Sequence, residues 1–116
     1  MKRYKEYARH IWDEIKFLRE EATGITLDQL LRDEMRRRAF VRSLEIIGEA
    51  VKNIPASVKE QYPQIEWRRI AGTRDRLIHH YFQVDYKIVW NIIQVELPPL
   101  EVVMQDILKD EPKGLF

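Results

Sequence analysis

The sequence RDRLIHHYF, residues 74–82, places an arginine, two histidines and a tyrosine at the far end of a helical pattern. The pattern begins near Trp67, and its three-four spacing of apolar residues predicts one amphipathic helix from about Glu66 to His80. Arg74 falls on the apolar stripe of that helix, where an unpaired cation is unfavourable. We therefore expect Arg74 to face a carboxylate, a cleft or an anionic ligand.

The simplest of these possibilities is a structural ion pair. Glu45 and Glu49 are the candidate partners of Arg74, because charges on a buried face are usually paired. The spacing alone leaves this alternative open.

The rest of the chain predicts an all-α bundle of four main helices with short extra helical turns. Besides the helix at 66–80, long helices are expected at about 2–21, 33–53 and 85–109. The first carries the stripe Tyr4, Ala8, Ile11, Ile15 and Leu18.

Local signals mark several of the boundaries. Thr26 and Gln29 fit a capping box for a short turn at 27–31. Asp85 is a reasonable N-cap for the last helix. Pro98-Pro99 must kink or divide that helix near residues 96–97. A further turn is expected at 57–61.

Length and composition indicate one domain of 116 residues, with a helical domain at 1–109 and a flexible tail at 110–116. A chain that is 45% hydrophobic and 34% charged suits a globular protein. The absence of cysteine excludes disulfides and thiol chemistry. With neither a signal peptide nor a membrane-spanning run, we expect a cytoplasmic protein.

A net charge of +1 is not that of a general nucleic-acid binder, so any contact with RNA requires a local basic patch. One candidate patch combines residues 36–38 with Arg42. A second combines residues 68–69 with Arg74 and Arg76. A solvated helix face is the alternative for each patch.

Arg74, four intervening residues, His79, one residue and Tyr81 resemble the signature of the HepT-like toxins of the HEPN superfamily. Asp75 differs from the asparagine that the family often has there. Further similar segments lie at 42–50, 62–72, 82–90 and 97–100, so the resemblance covers the chain to about residue 108.

Cleavage of RNA without a metal needs an acid–base group and a cation that stabilises the phosphate. The ordinary pKa of histidine lies near neutrality, and the planar fork of arginine donates two hydrogen bonds, so His79 and Arg74 are suitable residue types. The resemblance therefore implies a metal-independent endoribonuclease with Arg74 and His79 as catalytic residues. The expected products carry 2′,3′-cyclic phosphate and 5′-hydroxyl ends, and no metal or other cofactor is expected. Candidate supporting residues for phosphate orientation are Asp75, Arg76, His80, Glu45, Glu49 and Arg42.

Residues five apart on an ideal helix point about 140° from each other. Arg74 and His79 therefore do not converge within one straight helix. Either the helix loosens near His79, or two copies of the motif face each other. The resemblance implies the second solution, a homodimer with a shared cleft.

Tyr81 is either a packing tyrosine or a modification site. The resemblance implies that an MntA-type nucleotidyltransferase antitoxin attaches AMP to Tyr81, as in a type VII-like toxin–antitoxin system. The expected partners are an RNA substrate such as tRNA or mRNA, a second copy of the chain and this antitoxin, with no DNA and no membrane. For His80, a surface or packing role is the alternative to site support.

Two other classes of function remain open. One is a non-catalytic module that binds a nucleotide or a nucleotidyltransferase, with Arg74 as an anion anchor. The other is a dimeric structural protein in which the motif is only an ion-pair network.

Overall fold

A computed structural model describes residues 3–78 and 83–110. Within these ranges the regular structure is helical, apart from one isolated antiparallel bridge between Ile78 and Val84. The α-helices are α1 (Tyr4–Ala22), α2 (Leu27–Leu31), α3 (Glu34–Val51), α4 (Ala56–Lys59), α5 (Trp67–Ala71), α6 (Thr73–Leu77), α7 (Tyr86–Asn91) and α8 (Leu97–Leu108), with a π-helical turn at Ile92–Glu96. The all-α bundle is thus confirmed.

The core lies where α1 packs against α3 and α8. Four members of the predicted stripe of α1, Ala8, Ile11, Ile15 and Leu18, are fully buried, and the fifth, Tyr4, is partly buried against the core. Residues from α3 and α8 complete the core, among them Phe40, Leu44, Ile47, Leu100 and Met104. Burial of this continuous apolar surface is the main force that holds the helices together. In the described ranges no helix combines the length and apolarity needed to cross a bilayer.

The predicted helix starts carry the expected caps. Thr26 and Gln29 form a reciprocal capping box at α2. The Asp85 carboxylate accepts hydrogen bonds from two backbone N–H groups at the start of α7. A cap that was not predicted occurs at α3, where the Asp33 carboxylate accepts a hydrogen bond from the Arg36 backbone N–H. Each cap satisfies donors that the first helical turn leaves without a partner.

The prediction of one continuous helix at 66–80 is wrong. The structure divides it at Gly72 and ends its second half, α6, at Leu77. Glycine weakens a helix, and the Thr73 hydroxyl donates to the Ile70 carbonyl at 2.6 Å, which competes with the helical backbone pattern.

The end of α6 is fixed by contacts made after the motif. Ile78 is extended and pairs with Val84, and the Asp85 N–H donates to the Leu77 carbonyl at 2.9 Å. The chain segments before and after residues 79–82 are therefore held together by backbone pairing at Leu77–Ile78 and Val84–Asp85. His79, His80 and Tyr81 themselves lie outside the described residues.

The predicted division of the last helix near residues 96–97 is confirmed, and it takes the form of a π turn. Leu97 donates its N–H to the Ile92 carbonyl, five residues back. Pro98 and Pro99 cannot donate, and a proline ring clashes with the carbonyl four residues earlier, so the preceding turn widens. The helix then ends at Leu108, near the predicted end, whereas residues 111–116 of the predicted tail lie outside the described ranges.

Candidate functional site

A cleft of about 290 Å³ lies between α3 and the junction of α5 and α6. Its walls are rich in charged side chains, and its floor contains two glycines. The lining residues are Arg42, Glu45, Gly48, Glu49, Lys52, Ala71, Gly72, Arg74 and Asp75.

Gly48 allows the two walls to approach each other. A Cβ atom at this position of α3 would lie 3.2 Å from the Ile70 carbonyl oxygen and 3.5 Å from that of Ala71. A larger side chain would therefore push α5 away from α3. Sequence reasoning missed Gly48 and Gly72 as site residues, although a glycine inside a helical pattern is a recognised signal of close backbone approach.

Arg74 lies on α6, is exposed and lines the cleft. The expectation that it lies on a buried stripe is wrong. The break at Gly72 changes the phase of the helix, and Thr73 and Leu77 are the buried residues of α6 instead.

The two proposed ion-pair partners of Arg74 are engaged by other cations. Glu45 lies 3.9 Å from Arg42, and Glu49 lies 3.1 Å from Lys52. Across the described parts of the chain, no carboxylate pairs with Arg74. The cleft thus contains a guanidinium that is open to an anionic ligand.

Arg76 has a different environment from Arg74. Its guanidinium donates two hydrogen bonds to the Glu96 carboxylate, at 2.9 and 2.6 Å, and Arg69 lies 3.6 Å from the same carboxylate. The hydrogen bonds from Arg76 lower the pKa of Glu96 below its ordinary value, although burial opposes the shift. Arg76 is therefore tied to Glu96 and does not line the cleft.

The basic patch of residues 36–38 is also largely engaged. Arg36 pairs with Asp33 and Glu21, and Arg38 pairs with Glu34. Arg37 lies over the Tyr86 ring. The alternative of a solvated helix face with local ion pairs accounts for this patch.

The structure brings together more than half of the predicted site residues. Those that line the cleft are Arg42, Glu45, Glu49, Arg74 and Asp75. Arg76 pairs elsewhere, and His79, His80 and Tyr81 lie outside the described residues. The cleft can bind an anion through Arg74, and α6 ends two residues before His79.

Residues 11–107 match the family model described as "HepT-like: Ribonuclease HepT-like". The matched range contains the whole cleft and residues 74–82. No solved structure matches the chain.

Similar proteins occur in bacteria and archaea. The chain is 48% identical over 111 residues to the "Putative RNase TTE0752" of Caldanaerobacter subterraneus subsp. tengcongensis, covering 96% of this chain and 99% of that protein. It is 40% identical over 100 residues to the "Putative RNase MJ0127" of Methanocaldococcus jannaschii, covering 86% and 83% of the two chains. It is 39% identical over 110 residues to the "Probable ribonuclease HepT" of Thermococcus cleftensis, covering 94% and 100%. The chain therefore belongs to the HepT-like ribonuclease family of the HEPN superfamily.

Proposed function

We propose that this protein is a metal-independent endoribonuclease in which Arg74 and His79 form the working pair. The observation that carries the proposal is that Arg74 is exposed and has no paired carboxylate among the described residues. This residue is exposed in a cleft, and its two candidate partners, Glu45 and Glu49, are paired with Arg42 and Lys52.

The chemistry follows from the two side chains. A base removes the proton of the ribose 2′-hydroxyl as its oxygen attacks the adjacent phosphorus, and His79 takes part in this acid–base catalysis. The bond from phosphorus to the 5′-oxygen breaks, and that oxygen takes up a proton. Arg74 donates to the phosphate oxygens and stabilises the negative charge of the transition state. The products carry 2′,3′-cyclic phosphate and 5′-hydroxyl ends.

The proposed active site is composite and forms where two copies of the chain meet. A small helical domain has little room to enclose an active site, and a symmetric pair can supply one Arg74 and one His79 from different protomers. The cleft beside Arg74 is open on the described part of one chain, which leaves space for a second copy or for RNA.

We assign this enzyme to a toxin–antitoxin system of the type VII-like class, in which a nucleotidyltransferase antitoxin attaches AMP to Tyr81. Tyr81 is seven residues from Arg74 in the sequence. An AMP group in that neighbourhood adds negative charge that competes with RNA phosphate for the guanidinium. Modification would thereby switch the ribonuclease off.

A non-catalytic binding module is the second candidate. The described cleft shows an anion-binding group, whereas the proposed acid–base group, His79, lies outside the described residues. A module of this kind would bind a nucleotide or a nucleotidyltransferase through Arg74 without cleaving RNA.

The test compares Arg74→Ala with Arg32→Ala, which removes an exposed arginine outside the cleft. Intact mass is measured first, so that an AMP adduct does not hide activity. We expect the wild type and Arg32→Ala to produce 2′,3′-cyclic ends in EDTA, and Arg74→Ala to cleave about 100-fold or more slowly. RNA binding without cleavage by unmodified wild type would favour the binding module.

A further inference from the structure

We infer that Glu96 is a positioning residue that sets the place of Arg74 in the cleft by bridging the two halves of the interrupted motif helix. The inference rests on the proposed function. It concerns a carboxylate that sequence reasoning did not select and that lies outside residues 74–82.

One carboxylate contacts both halves of the helix. Arg76, on α6, donates two hydrogen bonds to Glu96, and Arg69, on α5, lies 3.6 Å from one of the same oxygens. The paired geometry of the first contact restricts rotation as well as distance. Glu96 therefore restrains α5 and α6 relative to the last part of the bundle.

This restraint acts where the helix that carries the motif is interrupted. Gly72 separates α5 from α6, and each of these helices has only five residues. Helices this short do not hold their own geometry in water, so tertiary contacts must orient them. Leu77 and Thr73 anchor one face of α6 by burial, and the pairing of Arg76 with Glu96 anchors another.

The position of Glu96 follows from the prolines that come after it. Pro98 and Pro99 widen the preceding turn into a π turn that ends at Glu96. The Glu96 and Arg76 side chains are only 17% and 20% exposed, so water screens their pairing weakly. A π turn adds one residue to the helical turn and so redirects a side chain. Such turns are often found at functional sites.

Arg74 is carried by the same short helix as Arg76. A rotation of α6 released by loss of the pairing would move the Arg74 guanidinium relative to the phosphate. Displacements of about 1 Å in a positioned group can reduce rates by about 100-fold. Glu96 thus acts on the reaction through Arg74, without contact with the substrate.

The test uses Glu96→Gln with Glu101→Gln as the matched control. Glu101 lies on α8, pairs with Arg19 and is 18% exposed, close to the value for Glu96. We expect kcat/KM to fall by about 10- to 100-fold in Glu96→Gln and to change by less than about threefold in the control. Arg76→Lys keeps the charge but loses the paired geometry, so an intermediate loss is expected.

A double variant separates positioning from a general loss of structure. In an Arg74→Ala background, Glu96→Gln should cause little further loss, because its effect passes through Arg74. Additive losses in kcat/KM would overturn the inference. The assays are run well below the unfolding transition of every variant.

Hydrogen–deuterium exchange gives a readout that needs no catalysis. We expect faster exchange in the peptide covering residues 73–78 in Glu96→Gln than in Glu101→Gln. If exchange is faster in Glu96→Gln but the wild type cleaves no RNA, the proposed function fails and the restraint on α6 stands. Unchanged exchange would overturn the restraint itself, whether or not the wild type cleaves RNA.

Discussion

Arg74 and Arg76 show how two residues of one short helix acquire different roles. Arg76 is fixed by a carboxylate from the π turn, whereas Arg74 is exposed in a cleft whose glutamates pair with other cations. A guanidinium stays charged at any physiological pH, so the open one is the natural phosphate ligand. The contrast separates a structural arginine from a functional one.

Stability measurements can test this contrast directly. Arg74→Ala should change the free energy of unfolding by less than about 0.5 kcal/mol, as for an exposed side chain with no fixed contacts. Arg76→Ala should cost about 2 kcal/mol, since it leaves the partly buried Glu96 without its main partner. Urea unfolding curves provide both values. A loss of a few kcal/mol in Arg74→Ala would instead favour the structural ion-pair network.

A second residue pair makes the protein sensitive to pH at a distance from the cleft. The Tyr62 hydroxyl donates to the Asp106 carboxylate at 2.5 Å. This hydrogen bond raises the pKa of Tyr62 to about 12 and lowers the pKa of Asp106.

The direction of each pKa shift determines the pH range in which this hydrogen bond stabilises the fold. The raised pKa of Tyr62 adds stability below its ordinary value of 10.0, which is lost as pH rises through about 12. The lowered pKa of Asp106 adds stability above its ordinary value of 3.8, which is lost as pH falls. An absorbance titration at alkaline pH should therefore show a tyrosine step near pH 12. Tyr62→Phe should remove this step and Tyr7→Phe should retain it; persistence of the step in Tyr62→Phe would disprove the assignment.

Helix ends that depend on neighbouring residues were predictable from the sequence. The capping box of Thr26 and Gln29, the Asp85 cap and the division before Pro98 all act within a few residues. The start of α6 coincides with a local feature, Gly72, and with the close approach of Gly48 of α3 to the preceding turn. The end of α6 is closed by pairing of Ile78 with Val84. The apolar spacing that predicts one helix shows neither the contact with Gly48 nor the pairing of Ile78, and a single glycine is tolerated within a helical pattern.

The contact at Gly48 yields a prediction for the packing of α3 against α5. Gly48→Val should destabilise the fold by about 1–3 kcal/mol, because the new side chain meets backbone carbonyls that cannot move aside easily. It should also reduce RNA cleavage by widening the cleft. Arg38 is at an exposed position of the same helix. Arg38→Val therefore measures how much a valine in α3 lowers the free energy of unfolding without a contact to α5. Equal unfolding free energies in the two variants would show that α5 tolerates the displacement.

At the scale of the whole molecule, the described part of the bundle forms a charged cleft between α3 and the junction of α5 and α6. Helical spacing in α3 and the motif predicted five of the charged residues that line it, but Lys52 was not among the predicted site residues. The sequence could not predict that Arg76 turns to Glu96, a partner 20 positions away that is placed by the π turn. The chemistry of residue 79 and the role of a second copy stay predictions.

Mixing two inactive variants tests whether the active site is shared between protomers. Arg74→Ala and His79→Ala dimers are combined under conditions of subunit exchange. If each site takes Arg74 from one chain and His79 from the other, a mixed dimer has one intact site and one site that lacks both residues. Equal mixing should therefore restore about one quarter of wild-type activity. No restoration in samples with proven exchange would place both residues in one chain.

The most direct test of the account is RNA cleavage in EDTA by unmodified wild type, His79→Ala and His10→Ala. His10 is an exposed histidine of α1, and its replacement controls for the loss of an imidazole. We predict cleavage with 2′,3′-cyclic ends by the wild type and His10→Ala, and a loss of about 100-fold or more in His79→Ala. Equal cleavage by His79→Ala and the wild type would contradict the assignment of His79 as the acid–base group of a metal-independent ribonuclease.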